Sequence, residues 1–472
     1  MVMGELPVET EVLVIGGGPG GYAAAFRAAD LGLDVTLVTD EPRLGGVCLL
    51  RGCIPSKTLL SLTELIAMAE AAPQRGLHFG PPRVDLEAVR AWKDKVIEQL
   101  ARGLQQLCVQ RGVRLVQGRA RLSGVDTVHL ENAELPSLTF QHGIIATGSR
   151  PNSLPDIPFT DRIMESGQAL ELADIPKRLL VVGGGYVGLE MGQVYAALGS
   201  QVTLVEMTDR LLPTADADLV QPLARRTQEV FAGIHFKTQV ANLEQQKDTV
   251  RVTFAGGAEG SRTTYDRVLI AIGRRPNTDD LGLERANVEV DAQGYIVVDA
   301  QRRTTNRRLF AVGDVVGGML LAHKAMYEGR LAAEVIAGHR IAFDARAIPA
   351  VVYTTPQIAW CGLTEHEAQA QDLQVEVARF PCKAAGRAVS MAATDGFTKI
   401  ILASESHQVL GLGVVGVHAE ALIAEGVLAV EMGAMAEDLA LIMHPHPTLS
   451  ETIGEAAESF LGNATHLLSH KP

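Results

Sequence analysis

Cys48 and Cys53 lie five positions apart in Gly-Gly-Val-Cys-Leu-Leu-Arg-Gly-Cys-Ile-Pro-Ser-Lys, residues 45–57. Five cysteines in 472 residues are too few for a disulphide-stapled secreted fold. Cys108, Cys361 and Cys382 are expected to be buried structural thiols. A zinc site would need more Cys or His ligands at metal spacing, none follows this pair, and no metal is expected. The chemistry open to the pair is exchange between dithiol and disulphide. In a regular helix, Cα atoms five residues apart are about 8.6 Å apart. A disulphide spans roughly 4.4–6.8 Å, so joining these two residues requires a break in any helix that carries them. Gly52 permits the break, and Pro55 suits the first turn of a helix beginning beside it. A helix N-terminus stabilises a thiolate through its dipole and free amides. The arrangement therefore reads as redox-active more than as a staple.

A second cluster is His444-Pro445-His446-Pro447-Thr448-Leu449-Ser450-Glu451. Glu451 is near enough in sequence to orient the His446 imidazole and raise its basicity. A thiol must lose its proton before it attacks a disulphide, so such a base would serve the same chemistry. The plainer reading is two surface histidines in a Pro-rich turn, and that remains the expectation for His444.

Both clusters need elements to hold them. Residues 11–15 read as an apolar strand running into Gly16-x-Gly18-x-x-Gly21, and 22–29 read as helix. In that setting the glycines permit a tight turn, close approach to a pyrophosphate, and close helix packing, with phosphate at the helix N-terminus. The pattern recurs with a strand at 179–182, then Gly183-x-Gly185-x-x-Gly188 and a second helix. The next strand, 201–205, ends in Glu206, placed to bind adenosine ribose hydroxyls, with no arginine immediately after it. This loop is expected to prefer NAD over NADP. In the first loop the equivalent position is Thr39, with acids following at Asp40 and Glu41; Asp40 could take the ribose after a small shift, or Thr39 could do so more weakly. Two such loops, each in strand–turn–helix context, point to two dinucleotides.

The length suggests two to four domains with ample core. A hydrophobic content of 47% fits a globular protein, and no 18-residue apolar span is present. The N-terminal residues 1–11 show neither a signal peptide nor a transit segment, so a cytoplasmic location is expected. A net charge of −13 argues against nucleic acid as a partner. Residues 86–111 read as an amphipathic helix. The runs ending at Pro151 and Pro276 resemble each other (apolar strand, Ala-x-Gly, Arg, Pro), which suggests duplicated nucleotide units. A strand ending at Gly313-Asp314 would aim a carboxylate at a hydroxyl-rich ligand. From about residue 348, strands and helices alternate without another glycine loop.

These features together resemble the FAD-dependent pyridine nucleotide–disulphide oxidoreductases over essentially the whole length, most specifically through residues 45–57 and 444–451. The resemblance is greatest to the members that oxidise dihydrolipoamide. It implies an α/β fold: two Rossmann-like dinucleotide-binding domains plus a C-terminal α+β dimerisation domain. The FAD domain would span 1–150, completed by 277–347; the NAD domain 151–276; and the interface domain 348–472. FAD would be held by Gly16, Gly18, Gly21, Asp40, Lys57, Thr147, Gly148 and Asp314. NAD would be held by Gly183, Gly185, Gly188, Glu206 and Gly273, with Lys57 and Glu190 as an ion pair near the flavin. The resemblance also implies that Cys48 exchanges with substrate, Cys53 lies against the flavin, and His446 is the acid–base, oriented by Glu451 and serving the other subunit of a homodimer. The substrate would be dihydrolipoamide or a lipoyl protein, and the acyltransferase core of a 2-oxoacid dehydrogenase complex is a possible partner. Leu50-Arg51 departs from the usual Asn-Val. Arg51 could depress a thiolate pKa or point to solvent. Tyr186 stands where many such members are aliphatic and glutathione reductases carry a flavin-covering tyrosine. A glutathione-reductase-like activity and a non-catalytic scaffold role are the alternatives. A mercury-reducing role is disfavoured, because residues 469–472 hold no cysteine pair.

Overall fold

Val12 to Ile15 are apolar on both sides of the chain, and all four are buried. That is the pattern of a strand covered on both faces of a parallel sheet. They end the strand Val8–Ile15, the centre of a largely parallel sheet in a computed structural model that describes residues 8–257 and 262–468. The sequence readings at the extreme N-terminus and at 469–472 fall outside those residues. Val8–Ile15 pairs in parallel with Val35–Thr39 on one side and Ser137–Ile145 on the other. Arg114–Gln117 extends the first edge. Thr127–Glu131 and Arg119–Leu122 add antiparallel strands beyond Ser137–Ile145, and Leu309–Ala311 pairs in parallel with its last residues.

The chain forms two compact units, the first comprising residues 8–58, 85–152 and 273–344. In that unit the helix Pro19–Asp30, with proline at its first turn, packs on the helix Ala322–Ile336. The contact is closest where Gly329 meets the backbone of Gly20. A Cβ on Gly329 would overlap the Gly20 carbonyl oxygen and lie 3.1 Å from Ala24 N. The expected amphipathic helix is Leu86–Gln110, capped at its start by Asp85, which accepts the Ala88 N–H. The two similar runs noted above meet as well: Ser149–Pro151 pairs antiparallel with Arg274–Pro276.

The second unit comprises residues 59–84, 153–257, 262–272 and 345–468. It repeats the nucleotide architecture, with Arg178–Val182 parallel to both Gln201–Val205 and Arg267–Ile270, and the helix Tyr186–Ala197 following the first strand. It also contains an antiparallel sheet in the order Ala350–Val352, Gln357–Gly362, Val409–Gly416, Phe397–Ala403, Val375–Pro381. The helices Ala419–Met432 and Glu451–Phe460 pack on that sheet. Lys399, in the sheet and 1% exposed, is surrounded by Asp216 at 2.7 Å, Asp218 at 2.7 Å and Glu365 at 2.9 Å. A buried ammonium requires such compensation. No helix among the described residues is long and apolar enough to cross a membrane.

The packing of Gly329 and the openness around Gly103, which has nothing within 4 Å of an added Cβ, give opposite expectations for one substitution. Gly329→Ala lowers unfolding stability by about 1–3 kcal/mol through overpacking. Gly103→Ala, inside the helix Leu86–Gln110, raises it by about 0.5–1 kcal/mol. Urea unfolding of the two variants checks both; shifts of the same sign would contradict the packing described.

Candidate active site

The thiol segment is seated directly on the first glycine loop. Gly45 N donates to the Gly17 carbonyl oxygen at 2.8 Å, and a Cβ on Gly46 would lie 2.6 Å from Gly18 Cα. Gly45 and Gly46 have φ of 127° and 56°, conformations that glycine adopts without strain. On its other side, Leu49 packs against Ile97 and Ala101 of the helix Leu86–Gln110. The regular helix that would hold the cysteines apart is broken as expected. Cys48 lies in Gly46–Arg51, Gly52 interrupts at φ −145° and ψ −109°, and Cys53 opens the helix Cys53–Ala71 with Pro55 in its first turn.

No disulphide joins Cys48 and Cys53, and the two thiols are hydrogen-bonded to each other. That contact, together with burial and the neighbouring Cys53 charge, drives the Cys48 thiol strongly upward, while Lys57 acts in the opposite sense. Cys53 stands at a helix N-terminus, whose dipole and free amides favour a thiolate. The cation acting on the pair is Lys57. Arg51 is ion-paired with Glu41 and partly exposed. Tyr22, directly after Gly21, was not singled out from the sequence; burial and the two cysteines push its phenol up to about 12.

Thr39 occupies in the first loop the place of Glu206 in the second. A Cβ on Gly17 would lie 3.0 Å from Thr39 Oγ1, and one on Gly184 would lie 3.2 Å from Glu206 Oε2. Asp40 is exposed. Glu206 is buried; Oε2 accepts Gly184 N–H at 2.7 Å, and Oε1 accepts the Thr208 N–H at 2.8 Å. Gly18 has only Gly46 Cα near an added Cβ, and Gly185 has nothing within 4 Å. Both loops thus leave open space before a helix N-terminus, which fits two pyrophosphates.

Asp314 lies in the turn Gly313–Val316, where its Oδ2 accepts from Ser149 Oγ, and Ser149 Oγ accepts from Arg274 Nε at 2.7 Å. Thr147 Oγ1 donates to the Asn277 carbonyl oxygen at 2.8 Å, and Gly148 accepts from Asn277 N at 2.9 Å. Thr147, Gly148, Asp314, the first loop and the thiols therefore share one unit with Lys57, and Gly273 falls in that unit too. Ser149, Arg274 and Asn277 are supports that the motif reading passed over, although the repeated Arg-Pro endings contained the first two and Asn277 follows directly after the second.

In the second unit, Glu190 is buried and accepts the Tyr353 N–H at 3.0 Å, while Tyr186 is exposed at the start of its helix. His446 Nδ1 lies 2.8 Å from Glu451 Oε1, and Glu451 Oε2 accepts the Thr448 N–H at 2.7 Å. Burial works to raise the Glu451 carboxyl, but Thr448, His446 and His466 together hold it below the ordinary carboxylate range. The imidazole is 71% exposed, so its other nitrogen faces outward. His444 is not the surface residue expected. Its side chain is 9% exposed and its Nε2 lies 2.9 Å from Glu425 Oε1, in a place where Gly454 leaves room for the ring.

Among known protein families, the model for pyridine nucleotide-disulphide oxidoreductases matches residues 10–329, and that for their dimerisation domain matches 348–457. The chain is 46% identical to the dihydrolipoyl dehydrogenase of Vibrio cholerae, covering 98% of each chain. It is 42% identical to that of Geobacillus stearothermophilus, over 99% of this chain and 100% of the other. Among solved structures it is similar to LpdA of Mycobacterium tuberculosis (TM-score 0.89, 29% identity, 96% of this chain and 99% of the other). It is also similar to an HOCl-induced flavoprotein disulphide reductase of Escherichia coli (TM-score 0.84, 25% identity, 95% and 99%).

The His444–Glu425 pair gives a pH dependence with a definite sign. The Glu425 hydrogen bond raises the His444 pKa above its ordinary 6.5. Its contribution to stability is complete below that unfolded-state value and is lost as pH rises through the raised folded value. The destabilisation caused by His444→Gln, measured by thermal unfolding, is expected to shrink as pH rises from the ordinary histidine value of 6.5 through the raised folded value. A difference that stayed constant or grew would contradict the pairing.

Proposed function

The chain belongs to the pyridine nucleotide–disulphide oxidoreductase family, and from that membership we propose that it is a dihydrolipoamide dehydrogenase, oxidising dihydrolipoamide to lipoamide with NAD as acceptor. The observation that carries this reading is the thiol pair seated on a dinucleotide loop, in a chain with full-length dihydrolipoyl dehydrogenase relatives. We assign FAD to Gly16, Gly18, Gly21, Lys57, Thr147, Gly148 and Asp314, with Thr39 or Asp40 at the ribose. NAD is assigned to Gly183, Gly185, Gly188, Glu206 and Gly273. Bound FAD would supply a two-electron acceptor for the reduced cysteines, and bound NAD a hydride acceptor.

The chain's own residues account for the thiol chemistry. His446, held by Glu451, removes a proton from one substrate thiol. The substrate thiolate attacks Cys48 Sγ of the oxidised pair, forming a substrate–Cys48 bond and breaking the Cys48–Cys53 bond; Cys53 leaves as thiolate. The second substrate thiol then attacks the substrate sulphur bonded to Cys48, breaking the substrate–Cys48 bond and passing its own proton to Cys48. Lipoamide is released oxidised, and the cysteines hold the two electrons as Cys48 thiol and Cys53 thiolate. Lys57 supplies nearby positive charge, and we assign it the Glu190 carboxylate as partner.

The dimerisation domain makes the working form a homodimer, with His446 acting on the partner subunit's thiols. Leu441 and Met443, 83% and 95% exposed beside His446, are apolar surface for such a contact. A lipoyl protein of an acyltransferase core is the proposed physiological substrate.

Purified protein mixed with dihydrolipoamide is expected to form NADH from NAD rapidly and NADPH from NADP slowly. Cys53→Ser is expected to reduce turnover at least about a thousandfold, since loss of a covalent redox partner removes the pathway. Full turnover in that variant would end the assignment. A preference for NADP would overturn the reading of Glu206.

A further inference from the structure

The turn that carries Asp314 is held by a helix outside the site. Glu328, in Ala322–Ile336, is wholly buried, a position in which a carboxylate needs compensation. Its Oε2 accepts the Gly313 N–H at 2.7 Å. Its Oε1 lies 2.9 Å from Lys324 Nζ and 3.6 Å from Arg302 Nε. Lys324 is one helical turn before Glu328, is itself buried, and donates to the Gly317 carbonyl oxygen at 3.1 Å. The acid–base pair therefore grips the turn at both ends, by the N–H of Gly313 and the C=O of Gly317. Arg302 lies over the Phe343 ring at 4.1 Å, which keeps its guanidinium beside the carboxylate. Between the two grips stands Asp314, with one oxygen taken by Ser149.

We propose that Glu328, paired with Lys324, is a positioning residue for flavin binding. It sets the backbone of Gly313, so that Asp314 keeps Oδ2 on Ser149 and presents Oδ1 to the hydroxyl groups of FAD. The proposal deepens the flavin reading above and rests on it. It assigns no contact between Glu328 and the cofactor. The carboxylate acts through the Gly313 N–H, and its charge is needed to hold Lys324 and Arg302 in place.

The test is the FAD dissociation constant, read from released flavin fluorescence on dilution of the folded holoenzyme. It is measured for wild type, Glu328→Ala, Glu328→Gln, Asp314→Asn and the double variants, with circular dichroism confirming that each is folded. Glu328→Ala is expected to weaken FAD binding by about tenfold or more, because the Gly313 N–H loses its acceptor. Glu328→Gln, whose amide oxygen can still accept that N–H, is expected to weaken it less. In the Asp314→Asn background each Glu328 change is expected to add little, since both residues act through one contact. If the alanine variant does not fold, the glutamine variant and its double carry the test. Dissociation constants within about twofold of wild type for the folded variants, or losses that simply add, would overturn the proposal. A wild-type protein that bound no FAD would instead remove the reading on which it rests.

Discussion

Backbone meets backbone where the thiol segment lies on the first glycine loop, and the remaining chemistry depends on that contact. Gly45 is hydrogen-bonded to Gly17, and Gly46 rests on Gly18 with no side chain between them. Any residue with a Cβ at Gly46 would push Cys48 away from the first glycine loop. The opposite side is closed by Leu49 on the helix Leu86–Gln110, so the segment is trapped between a rigid loop and a long helix. Its one break, at Gly52, lets the second thiol come back toward the first. Positioning of this kind is what a protein contributes when a cofactor supplies the redox chemistry.

The electrostatics follow from that placement. The contact with Cys53 and burial both push the Cys48 thiol upward, so ionising both sulphurs is disfavoured. Cys53 has the helix N-terminus, and Lys57 one turn further on adds positive charge near the pair. Arg51, the cation closest in sequence, is neutralised by Glu41. The His446 imidazole, in the second unit, is prepared differently. His446 is exposed and free to approach a substrate, while Glu451, fixed by Thr448, holds only its inner nitrogen.

What was legible in the sequence is what local backbone geometry demands. The glycine loops, their strands and helices, and the break at Gly52 are each specified by residues within a few positions of one another. The strand 201–205 is found with those bounds, and the helix read as 86–111 ends one residue earlier. The acid at the end of a strand was also readable, because Glu206 must face the loop that its strand supports. Supports that come from far along the chain were not readable. Ser149 meets Asp314 across 165 residues, and Glu328 reaches Gly313 from a helix with no motif of its own. His444 was misread for the same reason: its prolines suggested an exposed turn, whereas Glu425, on another helix, draws it inward. The similarity between the runs ending at Pro151 and Pro276 was visible, but their pairing into one ribbon is a tertiary fact.

On the proposed function, Cys48 and Cys53 form one redox couple that the other three cysteines do not share. Peptide mapping by mass spectrometry after alkylation, before and after one equivalent of dihydrolipoamide, tests it most directly. A Cys48–Cys53 disulphide is expected in the oxidised enzyme, with both residues alkylated after reduction and Cys108, Cys361 and Cys382 unchanged. Alkylation of both residues without reductant, or a disulphide to any of the other three, would contradict it.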